Sequence, residues 1–252
     1  MGVLNSEDVF AMTSVGELRQ LESEHFAGRH LSEAEIGHIF GLCEAMWFHS
    51  GNPEHPHAEL TAGGCSDGFI DTLRVLRYTN LCQLFGVKLL EKIRERYNGA
   101  IDWVIGSDHA GADLSHSVAI GANAQHDFTV KGPEKTQQWK RLTIAPDEVV
   151  LQVEELMTTA STLKAVRQGI RDGNPHPVRF APVVGVLIHR SDVTVFEDRP
   201  VTAYAHYDIQ TWSGPDVCPL CQAGSKRIRP KEHWVELARY GKPLSPGLTT
   251  GS

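Results

Sequence analysis

The fold is decided by residues 149–166, VVLQVEELMTTASTLKAV, in which an apolar run is followed by two carboxylates, a hydroxyl-rich turn and a second apolar pattern. Residues 149–153 are β-branched or aliphatic at four positions, which is typical of a buried strand. Beyond the turn, Leu163, Val166 and Ile170 recur at helical spacing. The sequence therefore predicts a strand that passes through a short turn directly into a helix.

The turn between this strand and this helix is suited to a phosphate group. The first backbone N–H groups of a helix have no partner within the helix, and the helix dipole favours an anion beside them. Further hydroxyl groups come from Thr158, Thr159, Ser161 and Thr162. Glu154 and Glu155 precede the turn, and their hard oxygens suit ribose hydroxyls or, through water, Mg²⁺. We expect a sugar-phosphate site; the alternative is an ordinary capped turn with solvated glutamates.

This succession resembles the phosphoribosyl-pyrophosphate (PRPP) signature of the type I phosphoribosyltransferases. Two further segments are similar to parts of the same family. Residues 101–105 predict a strand, and the GSDHAGAD that follows is similar to the family's pyrophosphate-binding loop. Residues 183–188 predict another buried strand, which ends in His189-Arg190-Ser191, similar to the Asp-Arg of orotate phosphoribosyltransferases.

The resemblance continues on both sides of these strands. Residues 57–71, HAELTAGGCSDGFID, look like the substrate hood of the family. Residues 217–230, VCPLCQAGSKRIRP, are similar to a tail of one subgroup of bacterial and archaeal orotate phosphoribosyltransferases. The resemblance therefore covers residues 50–230, roughly, and favours the orotate enzymes within the family.

The resemblance implies an α/β, Rossmann-like phosphoribosyltransferase fold, with a central, mostly parallel sheet and a small N-terminal hood. The 252 residues, 41% of them hydrophobic, can bury one sizeable core. We expect an N-terminal helical extension over residues 1–48, a phosphoribosyltransferase domain over residues 49–235 and a C-terminal tail over residues 236–252. Within the extension, residues 31–48 show helical spacing, and Ser32 with Glu35 resembles a capping box.

The resemblance also implies roles for single residues. Glu155 and Lys131 would act in catalysis, with Glu154 and Glu155 holding the ribose hydroxyls and Mg²⁺. Thr158 and Arg190 would contact the base, because a guanidinium suits the carboxylate of orotate. Other PRPP contacts would come from Ser107, Asp108, Lys135, Thr159, Ala160, Ser161 and Thr162, and Thr158 would contact PRPP as well as the base.

A basic segment precedes the signature strand. Residues 127–148 have no clear period, and their basic residues are Lys131, Lys135, Lys140 and Arg141. In the family, a mobile basic loop at this place closes over pyrophosphate, with its lysines matched by Lys131 and roughly by Lys135. The alternative is a solvated surface loop.

Our leading hypothesis is a Mg²⁺-dependent enzyme that joins a nucleobase, orotate in first place, to PRPP with release of pyrophosphate. A homodimer is implied by the resemblance. One alternative is a PRPP-binding regulator or degenerate paralogue without turnover, and another is an active enzyme for a different base. These alternatives rest on departures from the family's pattern, at Ala62, Gly64, Val130, Glu155 and Ala160.

The cysteines raise the question of a metal site. Of the five cysteines, Cys218 and Cys221 have zinc-knuckle spacing. The chain has no second C-x-x-C pair, so two more ligands would have to come from scattered cysteines or histidines. A disulfide is disfavoured in a reducing compartment. The sequence alone therefore favours free thiols over a structural zinc site.

Charge and hydropathy exclude other classes of function. The net charge of −7 argues against a nucleic-acid surface. The first residues have no basic segment or apolar run of a signal peptide, and no apolar stretch is long enough to span a membrane. We therefore expect a soluble, cytoplasmic protein.

Overall fold

A computed structural model describes residues 2–61, 63–242 and 244, except for the side chain of Lys135. The helices are α1 (Ser6–Phe10), α2 (Val15–Leu18), α3 (Glu33–Leu42), α4 (Leu73–Leu76), α5 (Thr79–Arg94), α6 (Ala110–Ala122), α7 (Ser161–Gly173), α8 (Pro219–Gln222) and α9 (Trp234–Ala238). The strands are β1 (Met46–Phe48), β2 (His57–Glu59), β3 (Cys65–Ser66), β4 (Gly68–Ile70), β5 (Trp103–Ser107), β6 (Gln125–Lys131), β7 (Gln137–Gln138), β8 (Val149–Met157), β9 (Arg179–His189), β10 (Val195–Phe196), β11 (Arg199–His206), β12 (Thr211–Trp212) and β13 (Arg227–Ile228). Short 3-10 helices occupy Ser23–Phe26, Pro133–Lys135 and Pro215–Val217.

The chain forms two compact units, and each is built from segments that are not consecutive in sequence. The first unit comprises Met1–Val3, Leu18–His30 and Leu76–Tyr207. The second comprises Leu4–Glu17, Leu31–Val75 and Asp208–Ser252. The linear division expected from the sequence, at residues 48 and 235, stays a prediction.

The first unit contains a seven-stranded sheet with the order β10-β11-β9-β8-β5-β6-β7. Its inner pairs, β6 with β5, β5 with β8, β8 with β9 and β9 with β11, are parallel, and the two edge pairs are antiparallel. Strands buried on both faces of a parallel sheet are apolar throughout. All five residues of β5 are buried accordingly. The predicted α/β class with a mostly parallel sheet is confirmed.

Helices cover both faces of this sheet. Val184 and Val186 of β9 belong to one buried cluster with Leu163 of α7. The residue between them, Gly185, faces Ile93 of α5. Successive residues of a strand point to opposite faces. Helices α7 and α5 therefore lie on opposite faces of the sheet, and α7 begins four residues after the end of β8.

A buried guanidinium anchors α7. Arg167 is fully buried, and its Nε donates to Gln152 Oε1 over 3.0 Å while Nη1 donates to Glu197 Oε2 over 3.1 Å. The guanidinium carbon lies 4.4 Å from the ring centre of Phe180 and 4.6 Å from that of Phe196. Burial lowers the pKa of Arg167 to about 10, so the group stays charged at neutral pH. The hydrogen bond to Gln152 holds α7 against β8, and the ion pair with Glu197 and the contacts with the two rings hold it against the strands on the β9 side of the sheet.

The second unit has a four-stranded sheet with the order β12-β3-β2-β13 and a separate pair, β1 with β4. The predicted capping box of α3 is present: Glu35 N–H donates to Ser32 Oγ, and Ser32 N–H donates to Glu35 Oε2. The expectation of helix up to residue 48 is wrong. The helix ends at Leu42, because Glu44 has a left-handed φ of 55° and turns the chain into β1.

None of the described helices is long and apolar enough to cross a membrane. The longest, α5, has 16 residues and carries lysine and arginine in its last turn. A spanning helix needs about 20 predominantly apolar residues. The cytoplasmic location and the absence of a nucleic-acid partner stay predictions.

Candidate active site

The candidate site lies in the first unit, where β5 and β8 end side by side. Carboxyl ends of parallel strands meet at one edge of a sheet, and ligands bind there in open α/β folds. A cleft of about 710 Å³ opens at this edge, a volume within the usual range for small-molecule sites. It is lined by Ser107, Asp108, Lys131, Gly132, Gln137, Glu154, Glu155, Leu156, Thr158, Ser161, Thr162 and Ala165. The fold therefore brings eight of the predicted site residues into one cleft.

The two glutamates form the acidic wall of this cleft. Glu154 is only 2% exposed, and its Oε1 accepts a hydrogen bond of 2.9 Å from Ser107 Oγ. Within the described part of the chain, the buried Oε2 atoms of Glu154 and Glu155 have no hydrogen-bond partner. Buried carboxylate oxygens without a partner are costly unless a ligand satisfies them. These atoms are therefore available to hydroxyl groups or a hard cation.

Burial raises the pKa of Glu154 well above its usual range, and the neighbouring Glu155 carboxylate raises it further. Two adjacent carboxylates repel each other when both are ionised. A divalent cation near them removes this repulsion, and Mg²⁺ prefers oxygen ligands. The donor set therefore fits Mg²⁺, held directly or through water.

Gly111, in the first turn of α6, lets this wall form. A Cβ at this position would lie 2.7 Å from Ser107 Oγ and 3.0 Å from Glu155 Oε2. Only a residue without a side chain leaves room for both groups at this distance. Gly111 lies within the GSDHAGAD segment but is not among the predicted site residues. In the same segment, the peptide bond between Asp108 and His109 is cis.

The predicted phosphate turn connects β8 to α7, as expected. The N-cap residue, Ala160, has no side-chain oxygen and so cannot cap the helix in the usual way. The first backbone N–H groups of α7 therefore donate no hydrogen bond to an N-cap side chain, in contrast to the capped turn considered as the alternative. Ser161 and Thr162 line the cleft, and Thr159 Oγ1 lies 3.0 Å from Ser161 Oγ. A crevice formed by residues 156–163, with Glu154 behind it, reaches this turn.

The basic segment is more ordered than the sequence predicts. Residues 125–131 form β6, which pairs with β5, and β7 then pairs back with β6. The absence of a period over residues 127–131 was misleading because most positions of β6 are exposed or only partly buried. Lys131 ends this strand with a side chain that is 66% exposed, and its Nζ lies 3.9 Å from Asp108 Oδ1. The Lys131 amine therefore lies at the edge of the cleft, and its side chain is solvated and only weakly held by Asp108.

Gln137 lines the cleft and was not predicted. Its Oε1 accepts a 2.9 Å hydrogen bond from Thr129 Oγ1, and its Nε2 lies 3.4 Å from Asp108 Oδ1. These contacts hold Asp108 at the edge of the cleft. No spacing rule connects a glutamine on an edge strand to a loop 29 residues earlier, so only the fold reveals the contact.

Four other predicted positions are not among the residues that line the cleft. Arg190 directly follows β9, and its N–H donates to Met157 O over 3.0 Å, which places it beside the end of β8 but outside the residues that line the cleft. Ala62 and the side chain of Lys135 lie outside the described residues. Gly64 belongs to the second unit, where a Cβ would lie 2.7 Å from Trp212 O. A basic side chain, common here in the family, would therefore displace β12.

No family model matches the chain. An orotate phosphoribosyltransferase of Caldanaerobacter subterraneus subsp. tengcongensis is 26% identical over 174 residues, which cover 69% of this chain and 87% of the relative. Another, from Desulforamulus reducens, is 27% identical over 175 residues, which cover 69% of this chain and 87% of the relative.

Among solved structures, the UMP synthase of Leishmania donovani superposes with a TM-score of 0.50 at 16% identity, over 70% of this chain and 36% of that one. The chain thus spans about a third of that protein. The resemblance and the phosphoribosyltransferase fold inferred from the sequence are confirmed. The homologues are phosphoribosyltransferases, a class of pentosyltransferase enzymes.

Proposed function

We propose that this protein is a Mg²⁺-dependent phosphoribosyltransferase that joins orotate to PRPP, releases pyrophosphate and so forms a pyrimidine nucleotide. The observation that carries the proposal is that one cleft combines the first turn of a helix without a side-chain cap and two carboxylate oxygens that have no hydrogen-bond partner among the described residues. The first suits a phosphate group and the second suits ribose hydroxyls with a cation. Orotate is favoured by the names of the curated relatives.

The reaction separates charge, and the cleft has groups for both ends. As the bond between ribose C1 and pyrophosphate breaks, positive charge develops on the ribose and negative charge on the leaving group. Glu155, with Glu154 beside it, would stabilise the ribose cation, and the N–H groups at the start of α7 would hold the 5′-phosphate. Preorganised charges of this kind need no rearrangement at the moment of reaction.

The leaving group needs positive charge. Bound Mg²⁺, held by Glu154 and Glu155 directly or through water, would neutralise part of the pyrophosphate charge. Lys131 would supply the remainder: its amine is exposed and only 3.9 Å from Asp108, so a small rotation releases it toward pyrophosphate. Ser107 and Asp108 line the same cleft.

Thr158 and Arg190 are proposed to bind the base. Both follow the carboxyl ends of neighbouring strands, β8 and β9, whose last residues, Met157 and His189, are paired in the ladder. A guanidinium recognises a carboxylate with two parallel hydrogen bonds, which would distinguish orotate from bases without a carboxylate. A homodimer is part of the proposal, and light scattering at micromolar concentration tests it.

A second candidate is a PRPP-binding protein without turnover, and the backbone of the phosphate turn favours it. Ala160 adopts a φ of 57°, the left-handed region in which the glycine usual in this family is unstrained. The side chain of Glu155, longer than the aspartate usual in the family, also favours a protein without turnover. Gly64 does not favour it, because the nearby Trp212 carbonyl leaves no room for a side chain at this position.

Pyrophosphate release from PRPP, measured with Mg²⁺ and each of orotate, uracil, adenine, guanine and hypoxanthine, separates these functions. We expect release with orotate alone. Release with another base would identify a different transferase. PRPP binding by calorimetry without release with any base would support the binding protein, and the absence of binding would refute the site itself.

A further inference from the structure

A second cluster of chemically active side chains lies in the second unit, and the transfer reaction does not use it. It consists of His57 on β2, Cys65 on β3, and Cys218 and Cys221 at the start of α8. One side-chain ligand atom from each residue lies within 4.8 Å of every other. Cys218 and Cys221 are more than 150 residues from their partners, since the contacts span 156, 161 and 164 positions. The fold therefore supplies the two ligands that the C-x-x-C spacing lacks.

The distances within this cluster match a tetrahedral metal site. Zinc ligands at about 2.3 Å for sulfur and about 2.0 Å for nitrogen lie about 3.8 Å apart for two sulfurs and about 3.5 Å for sulfur and nitrogen. Cys65 Sγ and Cys221 Sγ are 3.6 Å apart. His57 Nε2 lies 3.6 Å from Cys218 Sγ and 3.3 Å from Cys221 Sγ. The atoms thus surround a space of the size of one ion.

The imidazole is oriented for metal binding by the groups behind it. His57 Nδ1 lies 2.8 Å from Ser225 Oγ, and Ser225 Oγ donates a 2.5 Å hydrogen bond to His55 O. The serine proton is therefore committed to the carbonyl, and His57 Nδ1 must be the donor to the serine. This tautomer leaves the lone pair of Nε2 directed at the thiols. Metal-binding histidines characteristically donate their second N–H in this way.

A disulfide does not account for the arrangement. Bonded sulfurs lie about 2.05 Å apart, whereas the 3.6 Å between Cys65 Sγ and Cys221 Sγ is a nonbonded distance. All five cysteines are free thiols. A disulfide between these two would also leave Cys218 and the oriented imidazole without a role.

We propose that His57, Cys65, Cys218 and Cys221 form a structural zinc site. Three thiolates and an imidazole are soft ligands that favour Zn²⁺ over Mg²⁺. All four positions are filled by the protein, as in structural sites, whereas a catalytic zinc keeps one position open. His57, Cys65 and Cys218 are fully buried, which excludes water from the centre.

The proposed zinc site would stabilise the small sheet of the second unit. The sheet β12-β3-β2-β13 consists of strands of only two or three residues. Such short strands bury little surface, and small folds of this kind often depend on a metal. One ion joins the β2–β3 hairpin to the turn around α8. Binding energy from the metal is then part of the stability of this unit.

Metal analysis of the full chain, purified under reducing conditions without chelator, tests the proposal directly. We expect about one zinc ion per chain. Substitution by Co²⁺ should give thiolate charge-transfer bands and the strong d–d bands of a tetrahedral ion. Cys221→Ser and His57→Ala should lose the ion, and His57→Cys should retain it with stronger charge-transfer absorption. Cys82→Ala, which removes a buried thiol of the first unit, is the matched control and should keep full metal content.

The wild-type measurement stands even when a ligand variant fails to fold. The proposal is overturned when reduced wild-type protein neither contains zinc nor binds added Zn²⁺ or Co²⁺. It is also overturned when folded Cys221→Ser and His57→Ala both keep a full equivalent, or when mass spectrometry finds Cys65 and Cys221 joined in the purified protein. None of these measurements requires turnover of PRPP, so they are independent of the proposed enzyme activity.

Discussion

Replacing Glu155 by glutamine tests the reaction chemistry at the residue that is both central to the site and unusual for the family. The Glu155 carboxylate is partly buried, and its Oε2 has no partner among the described residues. Glutamine keeps the size of the side chain but removes its charge. Because the ribose becomes cationic only as the bond breaks, the lost interaction belongs mainly to the transition state.

The magnitude follows from the electrostatics of the cleft. Two unit charges about 4 Å apart interact by about 4 kcal/mol at an effective dielectric constant of about 20. Only part of a charge develops on the ribose, Glu154 remains nearby, and the cleft is open to solvent. A loss of about 1.4–4 kcal/mol remains, so kcat should fall by about 10- to 1,000-fold. Binding of PRPP should weaken much less.

Steady-state rates with saturating PRPP, orotate and Mg²⁺ measure this effect. Asp172→Asn removes one negative charge from the exposed side of α7 without touching the cleft, and its kcat should be unchanged. Glu155→Asp shortens the side chain to the family's usual length. A faster rate would show that the longer chain is a handicap, and a slower rate that the pocket fits glutamate. If neither substitution at position 155 changes the rate, the catalytic role of this carboxylate is refuted.

Three further predictions concern the wall of the cleft, the metal and the zinc site. Gly111→Ala should lower the free energy of unfolding by about 1–3 kcal/mol and weaken PRPP binding, because its Cβ would lie 2.7 Å from Ser107 Oγ. Thermal unfolding measures the loss of stability, and the control Gly121→Ala should keep the wild-type stability because its Cβ would meet only the end of a leucine side chain. Calorimetry should find that PRPP binds tightly with Mg²⁺ but weakly in EDTA, and equal affinities would remove the metal from the site. Ser225→Ala should weaken zinc binding by about 10- to 100-fold in competition with a chelator, and unchanged affinity would contradict the proposed orientation of His57.

The parallel sheet and the phosphate turn were predictable from the sequence because burial on both faces leaves a clear pattern. Strand β8 and helix α7 differ in the period of their apolar residues, and the change falls at the turn itself. Strand β6 was missed for the opposite reason: at the sheet margin its side chains are largely accessible to solvent. Strand β1 was not predicted because the turn before it is made by Glu44 in a left-handed conformation, and no glycine marks this turn in the sequence.

Contacts between distant segments were beyond the sequence. Gly111 matters only because the turn of α6 approaches Glu155, and Gln137 only because β7 returns to Asp108. The zinc ligands show the same limit most clearly. Cys218 and Cys221 were recognisable by spacing, but His57 and Cys65 join them only through the β2–β3 hairpin. The preference for free thiols drawn from the sequence is therefore replaced by a proposal of a metal site.

Product analysis tests the central claim, phosphoribosyl transfer to orotate in this cleft, most directly. Purified protein is incubated with PRPP, Mg²⁺ and orotate, and the nucleotide and pyrophosphate are quantified together by mass spectrometry and a coupled assay. We expect orotidine monophosphate and pyrophosphate in equal amounts, with both strongly reduced in Glu155→Gln. Pyrophosphate without nucleotide, or no product from folded protein that binds PRPP, would contradict the claim.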